Sequence, residues 1–316
     1  MRIVFSLVNL SDNVSGWLFA VSVQIIGMGA IPLLLYKFWV KEDIVTGFSL
    51  NVKLPPVVYV LAVVIGFLLS YVTTGVSIIW QNILILLGFT HVNSVGTIYS
   101  DAGVLVAELC FTALLPAIFE ELTDRGLLLR SLKEIKNERT VVVITALMFG
   151  LCHQNAMQTG YAFIGGLVFA YLALKTGSIV PGMIIHFINN ASSVLGDWGS
   201  QKGGIFNTID SVINGFISEH FFLAILTWAL GAFFIVIILR YIGGLAKQKK
   251  QILPPEDSVY YFPNDSRSVD ELFGSGFRRE LTEKTTFVWY EYAFLYGAAA
   301  LAFATTLFTY IWGVLR

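Results

Sequence analysis

"AIFEELTDRGLLLR", residues 117–130, decides how the rest of the chain is read. It closes an apolar run that begins near residue 102, yet it sets Glu120, Glu121, Asp124 and Arg125 within six positions. Glu121 and Arg125 stand one helical turn apart and can pair on a shared face. Glu120 points about 100° away from Glu121 and is left for another task. Pro116 lies four residues before Glu120, so the Thr112 carbonyl loses its usual N–H partner and the helix is predisposed to kink. An ionised carboxylate facing lipid is disfavoured by roughly 3 kcal/mol. These side chains therefore face a bundle interior or water, and a desolvated Glu120 suits a general base.

The surrounding sequence fits that reading. It is 56% hydrophobic and 13% charged, with mean hydropathy +0.74, where soluble domains carry about 25% charged residues. The fold class is all-α: a polytopic bundle of transmembrane helices with an intramembrane catalytic cavity. A span needs about 20 mainly apolar residues. Eight stretches qualify, roughly 17–39, 56–79, 102–129, 140–156, 160–175, 179–196, 218–243 and 288–314. The run "QNILILLGF" (81–89) is too short to cross again and reads as an interfacial or re-entrant piece. Lysine and arginine collect in cytoplasmic loops. With both termini outside, only Arg2, Lys202 and Arg316 fall on the outer side and Arg125 inside a span, which leaves sixteen of the twenty basic residues inside. The chain is thus expected in the cell membrane, with N-terminal helices over 1–100, a core over 101–196, and C-terminal helices over 197–316 broken by a cytoplasmic loop at about 244–287.

Other features narrow the classes. No basic stripe with interleaved aromatics marks a nucleic-acid face. Cys110 and Cys152 sit in apolar runs and read as small buried hydrophobes, not a disulfide or thiolate zinc framework. No internal repeat supports an inverted-repeat transporter. Trp17, Trp39, Trp198, Trp289 and Trp312 lie near span ends as an aromatic belt. Gly160, Gly165 and Gly166 are placed for close helix approach, while Gly177 and Gly182 mark a turn and a helix start beside Pro181. Glu108, two turns into its span, reads as structural or water-facing. His91 and His220 fall in outer loop regions.

Two polar intrusions join the acidic stretch. "MFGLCHQN" (148–155) carries His153 and Asn155, and "PGMIIHFINN" (181–190) carries His186 and Asn190 on one face with Asn189 beside them. A glutamate and a histidine can together hold and deprotonate a water, and a second histidine with an asparagine amide can stabilise a developing oxyanion. That constellation describes peptide hydrolysis without a serine or cysteine nucleophile. The same Glu120, His153 and His186 are open to zinc or another divalent metal as a two-histidine, one-carboxylate set. A non-catalytic immunity or scaffolding protein, or a proton-coupled transporter, is the competing reading.

"EELTDR" fits EExxxR, "FGLCH" fits FxxxH and "HFINN" fits HxxxN, in that order. The chain resembles the CAAX protease and bacteriocin-processing (CPBP, or Abi) family of intramembrane proteases, related to the type II CAAX prenyl endopeptidases. The matching core covers about 101–196. The resemblance implies that Glu120 and His153 activate the water, that His186 and Asn190 form the oxyanion hole, that Glu121 and Arg125 brace the site, and that Phe149 shapes the pocket. It implies a membrane-associated substrate: a prenylated CAAX-like tail, a bacteriocin leader or a signalling propeptide. Members have been described as metalloproteases, and a metal-free glutamate mechanism has been argued for relatives. Asn190 is a poor metal ligand and a natural amide donor, so the metal-free route is preferred here. One departure is Asp124, where many members carry an aromatic residue. It adds a like charge on the Glu120 face and competes for Arg125.

Overall fold

A computed structural model describes residues 12–40, 43–90, 96–132, 135, 137–252 and 289–315. Most of the expected 244–287 loop and His91 lie outside the described residues. The chain forms nine long helices among the described residues: α1 (residues 12–40), α2 (Pro56–Leu86), α3 (Ala102–Ser131), α4 (Glu138–Cys152), α5 (Ala156–Thr176), α6 (Val180–Lys202), α7 (Gly204–Glu219), α8 (Phe221–Ile252) and α9 (Trp289–Val314). Among the described residues there is no strand. The all-α, multi-pass reading holds.

The local sequence sets the helix ends. Pro56 occupies the first turn of α2, where its missing N–H costs nothing. Asp101 caps α3 by accepting from the Gly103 and Val104 amides at 2.7 and 3.2 Å. Asn137 and Asn155 cap α4 and α5 in the same way. Gly177 closes α5 at φ +67°, as a glycine at that position allows.

Among the described residues six helices are long and apolar enough to cross a membrane: 13–38 within α1, α2, α3, α5, residues 221–247 of α8 and residues 297–314 of α9. The other two expected spans exist as helices but fall outside that criterion. α4 has 15 residues, about 22 Å at 1.5 Å per residue, short of a ~30 Å hydrocarbon core. α6 has 23 residues but is polar over its second half, from Asn189 to Lys202. Residues 81–86 are not a separate re-entrant piece: they continue α2 in one helix to Leu86, and Gly88 at φ +91° ends it. The amphipathic α7 was not foreseen. It covers Tyr71 and Ile78 of α2 and Trp228 of α8 with Ile213, Phe216 and Ile217.

The two ends of the bundle are tied separately. At one end Lys175 pairs with Glu138 and Arg130 bonds Ser49, joining α5 to α4 and α3 to the turn after α1. At the other, Asn13 reaches Ile98, Lys202 reaches Ser100, and Thr309 accepts from Ala156. α2 runs through the centre. Val58, Ala62, Ile65 and Leu69 pack there with Phe149 of α4, Phe169 and Leu172 of α5, Ile185 of α6 and Ile235 of α8. A second core of Phe48, Leu122, Leu129, Val141, Ala170 and Ile179 fills the basic end.

Two sequence expectations need correction. Cys110 and Cys152 are free but exposed, not buried: in a membrane bundle a small apolar residue is equally at home facing lipid. Gly160 and Gly166 do permit close approach, under Trp80 and against the Ala146 backbone, whereas a side chain at Gly165 would meet only Phe169 of its own helix at 3.5 Å. Trp17 also does more than line an interface, since its indole N–H donates to Glu108 at 2.8 Å.

Candidate active site

The site is built on α3, which is not a uniform helix. It is α-helical over Ala102–Glu108, Leu115–Glu121 and Leu129–Ser131, and π-helical over Leu109–Leu114 and Leu122–Leu128. Wider π turns recur at functional sites because they re-aim side chains. Pro116 falls between them, and the carbonyl it leaves without a partner finds one: Asn190 Nδ2 of α6 donates to Thr112 O at 3.3 Å. The turn before Pro116 is thereby tied to the helix that carries His186.

Four charged side chains follow in a sealed interior. Glu121, Arg125 and Asp124 are 0%, 1% and 3% exposed. Arg125 Nη1 donates to Glu121 Oε1 at 2.9 Å and Nη2 to the Gly166 carbonyl at 3.3 Å. The guanidinium carbon lies 4.4 Å from the Phe149 ring centre and 5.1 Å from that of Phe169, a cation–π arrangement strengthened by desolvation. Gly182 makes room for this pair, because a Cβ there would stand 2.9 Å from Glu121 Oε2. Gly182 therefore serves more than a helix start.

His186 lies between the two glutamates. Its Nδ1 is 3.2 Å from Glu121 Oε1 and its Nε2 is 3.8 Å from Glu120 Oε2. The ring stacks on Phe169 with centres 5.1 Å apart and meets the Phe149 ring edgewise at 5.7 Å. His153 ends α4 and sits 4.9 Å from the other side of Phe149. Its Nδ1 is 2.8 Å from the Phe149 carbonyl. A carbonyl only accepts, so Nδ1 carries the hydrogen and Nε2 of the neutral ring is left as an acceptor. The next residue, Gln154, holds φ +49°, a strained left-handed value for a non-glycine.

The structure thus gathers Glu120, Glu121, Arg125, Phe149 and His186 in direct contact and places His153 at their edge through Phe149. Asn190 stands one turn beyond His186, with one amide hydrogen on Thr112 and its Oδ1 3.4 Å from Asn189 Nδ2. Three participants were not singled out from the sequence. Phe169 floors the Arg125 and His186 contacts, Thr73 of α2 donates to Asn189 at 3.1 Å, and Gln24 of α1 donates to Glu120 Oε1 at 2.6 Å. Gln24 had a visible signal, as a lone amide in "LFAVSVQIIGMGAIPLLL".

Unpartnered buried atoms collect around the same residues. Among the described residues six buried side-chain atoms have no hydrogen-bond partner, and five are here: Gln24 Oε1, Glu120 Oε2, Glu121 Oε2, Asp124 Oδ2 and Arg125 Nε. Buried polar atoms are otherwise almost always paired, so the concentration of them here sets this interior apart. Among the described residues no three His, Cys, Asp or Glu side chains gather as a metal-ligand set.

Residues 102–192, which span α3 to most of α6, match the family model of the type II CAAX prenyl endopeptidase Rce1-like proteins. The match falls on the three helices whose motifs carried the resemblance and bears it out. No curated protein and no solved structure matches the chain.

Proposed function

Taking residues 102–192 as a CAAX prenyl endopeptidase-like segment of a multi-pass membrane protein, we propose that the chain is an intramembrane endopeptidase. It hydrolyses a peptide bond of a membrane-associated substrate, namely a prenylated CAAX-like tail, a leader or a signalling propeptide. The observation that carries this reading is Glu120. It is almost fully buried, one oxygen is held by Gln24, and the other is unpartnered and faces His186 Nε2 at 3.8 Å.

In the proposed reaction Glu120 Oε2 takes a proton from a water whose oxygen attacks the scissile carbonyl carbon. His153 Nε2, free to accept, orients that water. The carbonyl π bond opens to an oxyanion, which the second amide hydrogen of Asn190 and His186 Nε2 stabilise. Donation from Nε2 asks for hydrogens on both ring nitrogens, a cation that Glu120 offsets before it takes the proton and the oxyanion offsets afterwards. The C–N bond then breaks and the Glu120 proton passes to the departing amine. Phe149 and Phe169 exclude bulk water, which strengthens each of these electrostatic terms. We further propose that no metal takes part, and that the basic end of the bundle is cytoplasmic with both termini outside.

The test compares Glu120→Gln and His153→Ala with the native chain, reading membrane peptides and small proteins by mass spectrometry. A protease leaves the same uncut precursor in both variants. An unchanged pool with folded protein supports a scaffold instead, and altered solute or ion flux without a precursor supports a carrier.

A further inference from the structure

Gln24 stands on α1, outside the matched segment 102–192. α1 is otherwise a peripheral, lipid-facing helix, with 6% of its apolar window buried. An amide side chain is expensive in such a helix unless it has a partner. Gln24 is turned inward instead, 8% exposed, and within the π-helical stretch Val21–Ala30. Its register against α3 is fixed one turn further along α1. Gly29 receives the Phe119 ring, since a Cβ there would lie 2.7 Å from Phe119 Cδ1, and Thr123 Oγ1 donates to the Met28 carbonyl at 2.7 Å.

A glutamate carboxyl has two equivalent oxygens and a broad terminal torsion. Left alone, it presents either oxygen in many orientations. The 2.6 Å bond from Gln24 Nε2 to Oε1 removes that freedom and leaves Oε2 turned toward His186. Gln24 Oε1 has no partner among the described residues and lies beside the same space, so the amide holds the carboxylate with one end and keeps an acceptor for a polar neighbour at the other.

We propose that Gln24 is a positioning residue that selects Oε2 of Glu120 as its reacting oxygen, so that α1 completes a site the family segment does not contain by itself. The inference rests on the reading of Glu120 as the water-activating base. Orientation errors of about 1 Å cost on the order of 10²-fold in rate, which sets the expected size.

The experiment uses the full chain in detergent with a quenched-fluorescent farnesylated CAAX peptide as probe. Gln24→Met keeps the length of the side chain and removes the donor. It is expected to lower kcat about 10- to 100-fold, with KM within about twofold and the unfolding midpoint unchanged. Gln24→Glu, which sets an acceptor against an acceptor, lowers kcat further. A pure packing role predicts that Gln24→Met stays active, and that result overturns the proposal. A second arm does not depend on turnover. With carboxyl-labelled glutamate, the infrared difference between native and Gln24→Met chains shows a shifted carboxylate stretch that vanishes when Glu120→Gln is present in both. No shift overturns the contact itself. If the native chain leaves the probe uncut, the protease reading loses support while the infrared arm still decides whether Gln24 orients Glu120.

Discussion

Two of the three glutamates that α3 buries, Glu108 and Glu120, lie twelve residues apart and are treated in opposite ways. Glu108 is 7% exposed and Glu120 9%. Glu108 accepts from Trp17 Nε1 at 2.8 Å and Thr97 Oγ1 at 3.0 Å on one oxygen, and from Thr112 Oγ1 at 2.7 Å on the other. Both oxygens are satisfied, without a cation and without an orphan. Glu120 has a single donor, and its second oxygen has no partner. Equal burial therefore separates a carboxylate that stitches α1, α3 and the 96–101 segment together from one that is held ready. Thr112 ties Glu108 to α6, its hydroxyl donating to Glu108 and its carbonyl accepting from Asn190.

The largest predicted effect breaks that comparison if it is wrong. Glu120→Gln lowers kcat by about 10²- to 10⁴-fold, the usual worth of a general base, and leaves the unfolding midpoint close to native. Glu108→Gln does the reverse. Its NH2 replaces one carboxylate oxygen and sets hydrogens against the one or two donors there, which costs about 1–3 kcal/mol of stability, with kcat within about twofold once folded protein is counted. Paired turnover and denaturation measurements that reversed these assignments would mean that orphaned oxygens do not mark the reactive carboxylate.

The next effect concerns what holds the reactive end in place. Arg125→Met leaves Glu121 buried without its cation, and removing one partner of such a pair costs about 3–5 kcal/mol. Adding Glu121→Gln to it recovers part of that loss, because the uncompensated charge is gone. Denaturation of the two singles and the double gives the coupling, and additive losses would show that the 2.9 Å contact carries no energy. Activity stays low in all three, since Glu121 either loses the cation that fixes it or gives up the carboxylate that orients His186.

These predictions also show how far the sequence could be read. EExxxR, FxxxH and HxxxN mark local positions on helices, and helix periodicity was enough to pair Glu121 with Arg125 and to free the Thr112 carbonyl. What accepts or donates across helices was not legible. Asn190 was expected at an oxyanion, yet it also repairs the break at Pro116. Gln24 lies nearly a hundred residues from Glu120, and no spacing rule reaches that far. Hydropathy and length carry six of the eight expected spans, and the other two exist as helices, α4 short and α6 polar over its second half. α7 was missed because its apolar positions recur every three or four residues in a stretch too polar to register as a span.

A smaller effect sharpens the contrast between sealed and open ends of the site. Gly182→Ala pushes a methyl to 2.9 Å from Glu121 Oε2. Forcing a methyl into a packed interior costs typically about 1–3 kcal/mol. Here it also tilts the carboxylate that His186 and Arg125 share, so kcat falls together with stability. Gly165→Ala, where only Phe169 lies at ordinary distance, is the control and is expected to be neutral by denaturation.

The smallest effect lies at the N-terminal end of α3 and separates the scaffold from the chemistry by pH. The Ser100 hydroxyl and the Gly103 and Val104 amides hold the Asp101 carboxyl below its ordinary range. A carboxyl whose folded value is depressed contributes its full share above the unfolded value, about 3.9, and loses it as pH falls through the lower folded value. Amide exchange at Gly103 and Val104 should therefore quicken as pH drops below about 4, after correction for the intrinsic rate. Asp101→Asn keeps a cap of similar strength but carries no titrating group, so its corrected exchange stays flat over the same window. A native chain as flat as Asp101→Asn would show that the cap works through its geometry alone and that its charge adds nothing to the start of the helix that carries Glu120.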